Sequence, residues 1–312
     1  MLAAGPAWWR ALNPAIYLVS LLPGAGVWQL TQPTGPTLTA LILATLGVIL
    51  LQHAINLFND ASDWRLGADV NKQDSWVRVH GGNPDPVSLH GWLSLAAGAA
   101  LGLGALAGLG RLWILAIGAP LLFLGYRYNA GSRPLSYTRL GEWVTAVCYG
   151  PGVVGCLWLL TGTRLDWHAL LAMTAFAALA VSLLLSHQPP QIDSDRRAGK
   201  HSFAVRYGAA RTWRASRILF TVFVITWGLA LLHARSSPLF TALVVAVAVL
   251  AIHRVMVVTP SPKRVLMTAT VVVFTLLGSG AMHGHFQDKT SQAFKTADSS
   301  HHSAGLRPDP DE

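Results

Sequence analysis

The chain is 312 residues long, 52% hydrophobic and only 12% charged, with a formal net charge of +9 and a mean hydropathy of +0.44. Soluble domains carry charge on about a quarter of their residues, so this composition excludes an ordinary water-soluble fold and makes lipid the solvent for most of the chain. The positive charge sits in short loops between apolar runs, which excludes a nucleic-acid footprint and makes the charge chiefly a topological label.

In chain order, Met1 to Pro14 contains Trp8, Trp9 and Arg10 and reads as an interfacial lead-in rather than a cleavable signal peptide. Nine apolar runs follow, each close to the about 20 helical residues that cross a hydrocarbon core of roughly 30 Å. They are expected at Asn13–Leu30, Thr37–Leu57, Val87–Gly110, Leu112–Tyr128, Leu140–Gly162, Trp167–Ser186, Ala215–His233, Pro238–Val258 and Val265–His283. The runs are continuous rather than alternating, so they predict helices and not barrel strands. The expected fold is therefore all-α: a polytopic membrane bundle over residues 1–283, followed by a polar tail over 284–312 whose composition predicts disorder.

The basic residues test this layout, because short cytoplasmic loops collect Lys and Arg. Arg10, the loop with Arg65, Lys72 and Arg78, the loop with Arg127, Arg133 and Arg139, the stretch from Arg196 to Arg217, and Arg254, Lys263 and Arg264 all fall on one side. The opposite loops hold Arg111, Arg164 and Arg235. The expectation is a bacterial cytoplasmic membrane protein with its N-terminus and these basic loops cytoplasmic and its tail on the other side. Cys148 and Cys156 lie on one expected helix, about 12 Å apart along its axis, too far to bridge.

Carboxylates near a membrane interior are costly and mark function. Asp60, Asp63, Asp69, Asp74 and Asp85 lie between the second and third runs, and Asp193 and Asp195 between the sixth and seventh, on the same expected face. If the second helix continues, Asn56, Asn59, Asp60 and Asp63 share one side of it, with His53 one turn deeper. Clustered carboxylates repel one another unless cations compensate them, and hard oxygen donors suit Mg²⁺ held together with substrate phosphates. The candidate metal ligands are Asn59, Asp60, Asp63, Asp69, Asp193 and Asp195. The second segment couples its acids to Arg197, Lys200 and Arg206, which suit diphosphate oxygens. Arg65, Lys72, Arg78 and Arg133 are further candidates for an anionic substrate in the first and middle loops. A solvated basic loop is the plainer account of Arg211, Arg214 and Arg217.

Asn59, Asp60 and Asp63, followed by Gly67 and Asp69, resemble the first aspartate motif of the UbiA superfamily of intramembrane prenyltransferases. The form is most similar to the branch that prenylates 1,4-dihydroxy-2-naphthoate in menaquinone synthesis. Tyr126, Tyr128, Pro134, Leu135, Tyr137, Gly141 and Glu142 resemble that family's middle loop, and Gly199-Lys200 with Val205-Arg206-Tyr207-Gly208 its later run. The resemblance implies a nine-helix bundle around a central cavity and Mg²⁺-dependent transfer of a prenyl group from a polyprenyl diphosphate to a lipophilic or aromatic acceptor. It implies catalytic roles for Asp60, Asp63 and Asp195, and substrate contacts for Asn56, Asn59, Tyr128, Tyr137, Gln191, Lys200 and Arg206. In one departure, Gln191 stands where the second motif has its first Asp and His187 where Asn is common; Asp193 is the nearest carboxylate. Other acceptors, cyclisation of the diphosphate, and a binding protein or transporter that keeps the fold are the alternatives. Tyr128, Tyr137 and Trp64 read equally as interfacial anchors, and the small residues Ala97 to Gly110 as close helix packing.

Overall fold

The computed structural model of the chain describes residues 7–68, 72, 74–131, 134–232 and 237–277. Asp69, Arg133, Arg235 and the expected tail over 284–312 lie outside them. The described residues form helices and no strands: α1 (Ala7–Leu12), a 3₁₀ turn (Pro14–Tyr17), α2 (Leu18–Thr31), α3 (Gly35–Arg65), α4 (Trp76–Val79), α5 (Pro84–Gly108), α6 (Leu115–Asn129), α7 (Gly141–Val147), a π-helical stretch (Cys148–Gly155) and α8 (Cys156–Thr161). These are followed by α9 (Trp167–His187), α10 (Ile192–Arg197), α11 (Phe203–Leu231), α12 (Pro238–Val257) and α13 over 262–277.

Helices are what lipid permits, since only they satisfy every backbone N–H and C=O within one segment. Among the described residues, seven helical segments are long and apolar enough to cross a membrane: Trp8–Thr31, Gly35–Arg65, Pro84–Gly108, Gly141–Thr161, Trp167–Arg197, Phe203–Leu231 and Pro238–Val257. The runs expected at 112–128 and 265–283 are present as the shorter helices α6 and α13, the latter reaching the edge of the described residues. Side chains at the starts of α5, α9, α11 and α12 accept the orphan backbone N–H groups there, from Asn83, Asp166, Ser202 and Ser237.

Two features shape the interior. Gly47 of α3 and Gly98 of α5 let the two backbones touch, for a Cβ on either would come within 2.9 Å of the other's carbonyl oxygen. In the expected span 140–162, Pro151 has no N–H to donate, and the helix widens into the π stretch around it. That widening turns Cys148, Tyr149, Gly152, Val153 and Cys156 toward a cavity. The largest buried apolar cluster among the described residues lies elsewhere, where Trp158, Phe176, Phe220, Phe223 and Trp227 pack between α2, α8, α9 and α11.

Candidate active site

α3 has 31 residues, so it is about 46 Å long at 1.5 Å per residue, well beyond a hydrocarbon core of roughly 30 Å. Its last turns carry Asn56, Asn59, Asp60 and Asp63, with both carboxylates buried. Beyond Arg65 the chain turns at Gly67, whose φ is +80°. The Ala68 N–H bonds the Asp63 carbonyl at 2.9 Å and the Gly67 N–H the Trp64 carbonyl at 3.2 Å, a Schellman end. α10 ends in the same way. Gly199 has a φ of +74°, the Lys200 N–H bonds the Asp195 carbonyl at 2.9 Å, and the Gly199 N–H bonds the Arg196 carbonyl at 3.1 Å. Each acid therefore stands four residues before a left-handed glycine, and the second turn folds Lys200 back over Asp195.

The two helix ends meet. Lys200 Nζ lies 3.0 Å from Asp63 Oδ2 and 3.6 Å from Asp195 Oδ1. Tyr137 donates to Asp63 Oδ1 at 2.7 Å and Asn59 Nδ2 to Asp63 Oδ2 at 3.1 Å, while Ser202 donates to Asp195 Oδ2 at 3.3 Å. Asp60 accepts from Lys72 Nζ at 2.9 Å and from the Trp76 backbone N–H at 2.8 Å. Tyr137 is anchored to the second segment through its carbonyl, which accepts the His201 N–H at 2.9 Å. Among the described residues, three buried carboxylates thus face the ammonium groups of Lys72 and Lys200.

Asn59, Asp60, Asp63, Lys72, Asp195, Lys200 and Ser202 line a polar chamber of about 320 Å³ together with Asn56, Asp74, Tyr128, Gln191 and His187. Its neck is formed by Gln52, Asn56, Tyr128, Asn129, Tyr149 and Leu184, which also border a second chamber of about 360 Å³. The second chamber is apolar, walled by α3, α5, α6 and the π stretch, and kept open by glycines at 47, 98, 102, 118, 125 and 152. A molecule with an anionic head and a long hydrocarbon tail fits this pair of rooms. The donor set at the head is acidic oxygen with cationic neighbours, suited to Mg²⁺ and phosphate oxygens. Among the described residues, no three His, Cys, Asp or Glu side chains group closely enough to hold a metal ion.

Of the residues marked out in the sequence, Asn56, Asn59, Asp60, Asp63, Lys72, Tyr128, Gln191, Asp195 and Lys200 line the polar chamber, and Tyr137 holds Asp63 from behind. Others lie elsewhere. Arg65 pairs with Asp85 on the surface at 2.7 Å, and Arg78 is exposed beside the Trp64 ring. Asp193 is 84% exposed and lies against Arg196, because α10 is regular from Ile192 and turns this side chain outward. Arg206 is paired with Glu142 at 3.4 Å. That glutamate also accepts the Phe203 N–H at 2.8 Å and Gln188 Nε2 at 3.1 Å, and Gln188 accepts the Ala204 N–H at 3.1 Å, so the pair caps the positive end of α11. Tyr17, Asn129 and Tyr149 are chamber residues that the sequence reading missed. Tyr17 and Tyr149 are polar groups within apolar runs, which is the one signal they carry, whereas Asn129 follows Tyr126, Arg127 and Tyr128 at the polar end of a run.

A family model described as the UbiA prenyltransferase family matches residues 17–283. The chain is 35% identical over 206 residues to a 1,4-dihydroxy-2-naphthoate octaprenyltransferase of Mycobacterium tuberculosis, covering 65% of this chain and 68% of that protein. It is 32% identical over 209 residues to a 2-carboxy-1,4-naphthoquinone phytyltransferase of a Synechocystis species, covering 64% and 66%. The solved structure of a UbiA homologue from Archaeoglobus fulgidus bound to GPP and Mg²⁺ superposes with a TM-score of 0.63 at 18% identity, over 89% of this chain and 99% of that one.

Proposed function

The chain belongs to the UbiA prenyltransferase family and is an integral membrane prenyltransferase, and from that premise we propose that it transfers a polyprenyl group from its diphosphate to 1,4-dihydroxy-2-naphthoate or a close aromatic relative, using Mg²⁺. The observation that carries this reading is Lys200 held between Asp63 and Asp195 at the head of an apolar chamber. It is supported by relatives named for naphthoate acceptors and by a structural neighbour bound to GPP and Mg²⁺.

In this reading Asp60, Asp63 and Asp195, with Asn59, hold Mg²⁺, joined by Asp69 from the segment outside the described residues. Gln191 faces the same chamber and offers an amide oxygen without charge. Asp193, on the outer face of α10, is left out of the set. Bound Mg²⁺ supplies neutralisation of the charge that builds on a departing diphosphate. Lys72 and Lys200, which lie on the carboxylates, turn to phosphate oxygens as charge-assisted donors. Asn56, Tyr128 and Asn129 at the neck hold the allylic carbon between the two chambers, and the apolar chamber takes the tail and keeps water from the cation. Asn129 Oδ1 is buried with no hydrogen-bond partner among the described residues, and in this reading it accepts a hydrogen bond from an acceptor hydroxyl. Arg206 acts by holding the start of α11 through Glu142. The bundle crosses a bacterial cytoplasmic membrane nine times, α6 and α13 completing the count, with the N-terminus and the acidic helix ends cytoplasmic and the C-terminal tail opposite.

The test is diphosphate release and product mass for the purified protein with Mg²⁺, geranylgeranyl and longer diphosphates, and 1,4-dihydroxy-2-naphthoate. The expected result is a prenylated naphthoate product that disappears on chelation. Absence of product with every donor sinks the reading.

A further inference from the structure

Two imidazoles lie against each other between α3 and α5, outside the acidic cluster. His53 lies two turns before Asp60 and is buried; His90 of α5 is half-buried; His80, on the turn before α5, is exposed. Tyr17, which lines the polar chamber, has its hydroxyl 2.6 Å from His53 Nδ1. His53 Nε2 lies 3.3 Å from His90 Nε2. The Trp76 ring stands edge-on to both imidazoles, with centroids 5.8 and 5.5 Å away, and seals them on one side. Polar groups inside a membrane helix pair are costly and mark function.

The two short contacts have one mutually consistent neutral assignment with the tyrosine as donor. A neutral imidazole has one N–H and one acceptor nitrogen. If Tyr17 donates to His53 Nδ1, His53 carries its proton on Nε2 and donates to His90 Nε2, which leaves the His90 proton on Nδ1. The line runs from the chamber outward without a break in polarity.

We infer that Tyr17, His53 and His90 form a proton relay that accepts the hydroxyl proton of the aromatic acceptor and carries it from the reaction chamber toward the surface; this rests on the function proposed above. When the acceptor ring carbon bonds to the allylic carbon, the diphosphate leaves with the electron pair of its C–O bond. The ring loses aromaticity, the acceptor O–H bond breaks, and its electron pair becomes the C=O π bond. The proton passes to Tyr17 Oη as the Tyr17 proton moves to His53 Nδ1 and the His53 Nε2 proton to His90 Nε2. His90 is then an imidazolium. The attacked carbon loses its carboxylate as CO2, and the C–C electron pair restores the ring and turns the carbonyl into an oxyanion. That oxyanion takes a proton back from His90 along the same line. In the function proposed above Asp60, Asp63 and Asp195 are occupied in holding Mg²⁺, which leaves Tyr17 as the nearby group with a free line of proton acceptors behind it. Tyr17 is the catalytic residue here, and His53 and His90 act through it. The other charged groups around the line are Asp60 toward Tyr17 and His80 toward His90, with Arg78 and the Arg65–Asp85 pair exposed at the rim.

The experiment compares the parent with Tyr17→Phe and His90→Gln, both close in shape to the original, measuring kcat, KM for the prenyl diphosphate, the pH profile and the solvent deuterium isotope effect on naphthoate prenylation. Tyr17→Phe is expected to lower kcat about 100-fold, within the usual range for general acid–base groups, and His90→Gln less. KM for the diphosphate stays at the parent value, the solvent isotope effect falls, and activity of the phenylalanine variant recovers as rising pH ionises the acceptor in solution. Parental kcat and pH profile in both variants overturn the relay. So does a loss of turnover that raised pH does not recover, because that marks a packing role. Turnover by the parent reports on the proposed function, and the ratio of variant to parent reports on the relay.

Discussion

Asp63 and Asp195 share the ammonium of Lys200, at 3.0 and 3.6 Å. The carboxylates come from distant helices, each fixed four residues before a left-handed glycine, and the lysine follows the second of those glycines directly. Two helix ends built to one pattern thus present their acids to a single cation.

Removing that cation leaves two buried carboxylates facing each other. Breaking a buried ion pair costs about 3–5 kcal/mol, so Lys200→Met is expected to unfold earlier than the parent in detergent. Mg²⁺ should raise its unfolding midpoint more than the parent's. A variant whose midpoint ignores Mg²⁺ shows that these carboxylates do not bind it.

Neighbouring acids in the second segment should separate cleanly. Asp195 is 5% exposed and faces the chamber, whereas Asp193 is on the outer face of α10. Asp63→Asn and Asp195→Asn are expected to lower kcat by about 10²–10³, the cost of losing one electrostatic stabiliser of a transition state. Asp193→Asn should leave the rate within twofold of the parent. Equal losses at 193 and 195 would reverse this assignment.

Gly199 tests the turn itself. Its φ of +74° costs a residue with a Cβ about 1–2 kcal/mol, although no atom lies within 4 Å of the place a Cβ would occupy. Gly199→Ala is therefore expected to act by backbone strain alone, loosening the end of α10 and with it Lys200, and to raise KM for the diphosphate. Parental KM together with parental stability would show that the turn does not need glycine.

Wall glycines of the apolar chamber should set which tails enter. A Cβ at Gly118 would meet only Cys156 Sγ, at 3.6 Å, so a larger side chain extends into the cavity rather than into backbone. Gly118→Phe is expected to abolish use of long prenyl diphosphates while sparing a short one, read by competition between donors of different length. Uniform loss across donors would place the tail elsewhere.

Much of the site was legible in the sequence because it breaks the local rule of its surroundings. Asn56, Asn59, Asp60 and Asp63 are oxygen-bearing residues on the last turns of an otherwise apolar run. The helix period alone puts them on one face. Arg206 was read as a phosphate ligand because it follows the acids at short range, yet it pairs with Glu142, whose distance along the chain hides the contact. Lys72 was equally near an acid in sequence and does face the chamber. Proximity along a loop does not separate these two cases, since direction there is set by what packs against it.

By itself the sequence determined the solvent, the helical class and the presence of two acid-bearing segments between apolar runs, because hydropathy, backbone hydrogen bonding in lipid and a 3.6-residue period are local properties. Only the tertiary structure decided that Lys200 bridges the two acids, that Glu142, which caps α11 with Gln188, pairs with Arg206, and that Tyr17, His53 and His90 stand in line. Each of these joins groups from different helices, and the distance between helices is set by side-chain packing such as the Gly47–Gly98 contact, which no single helix contains.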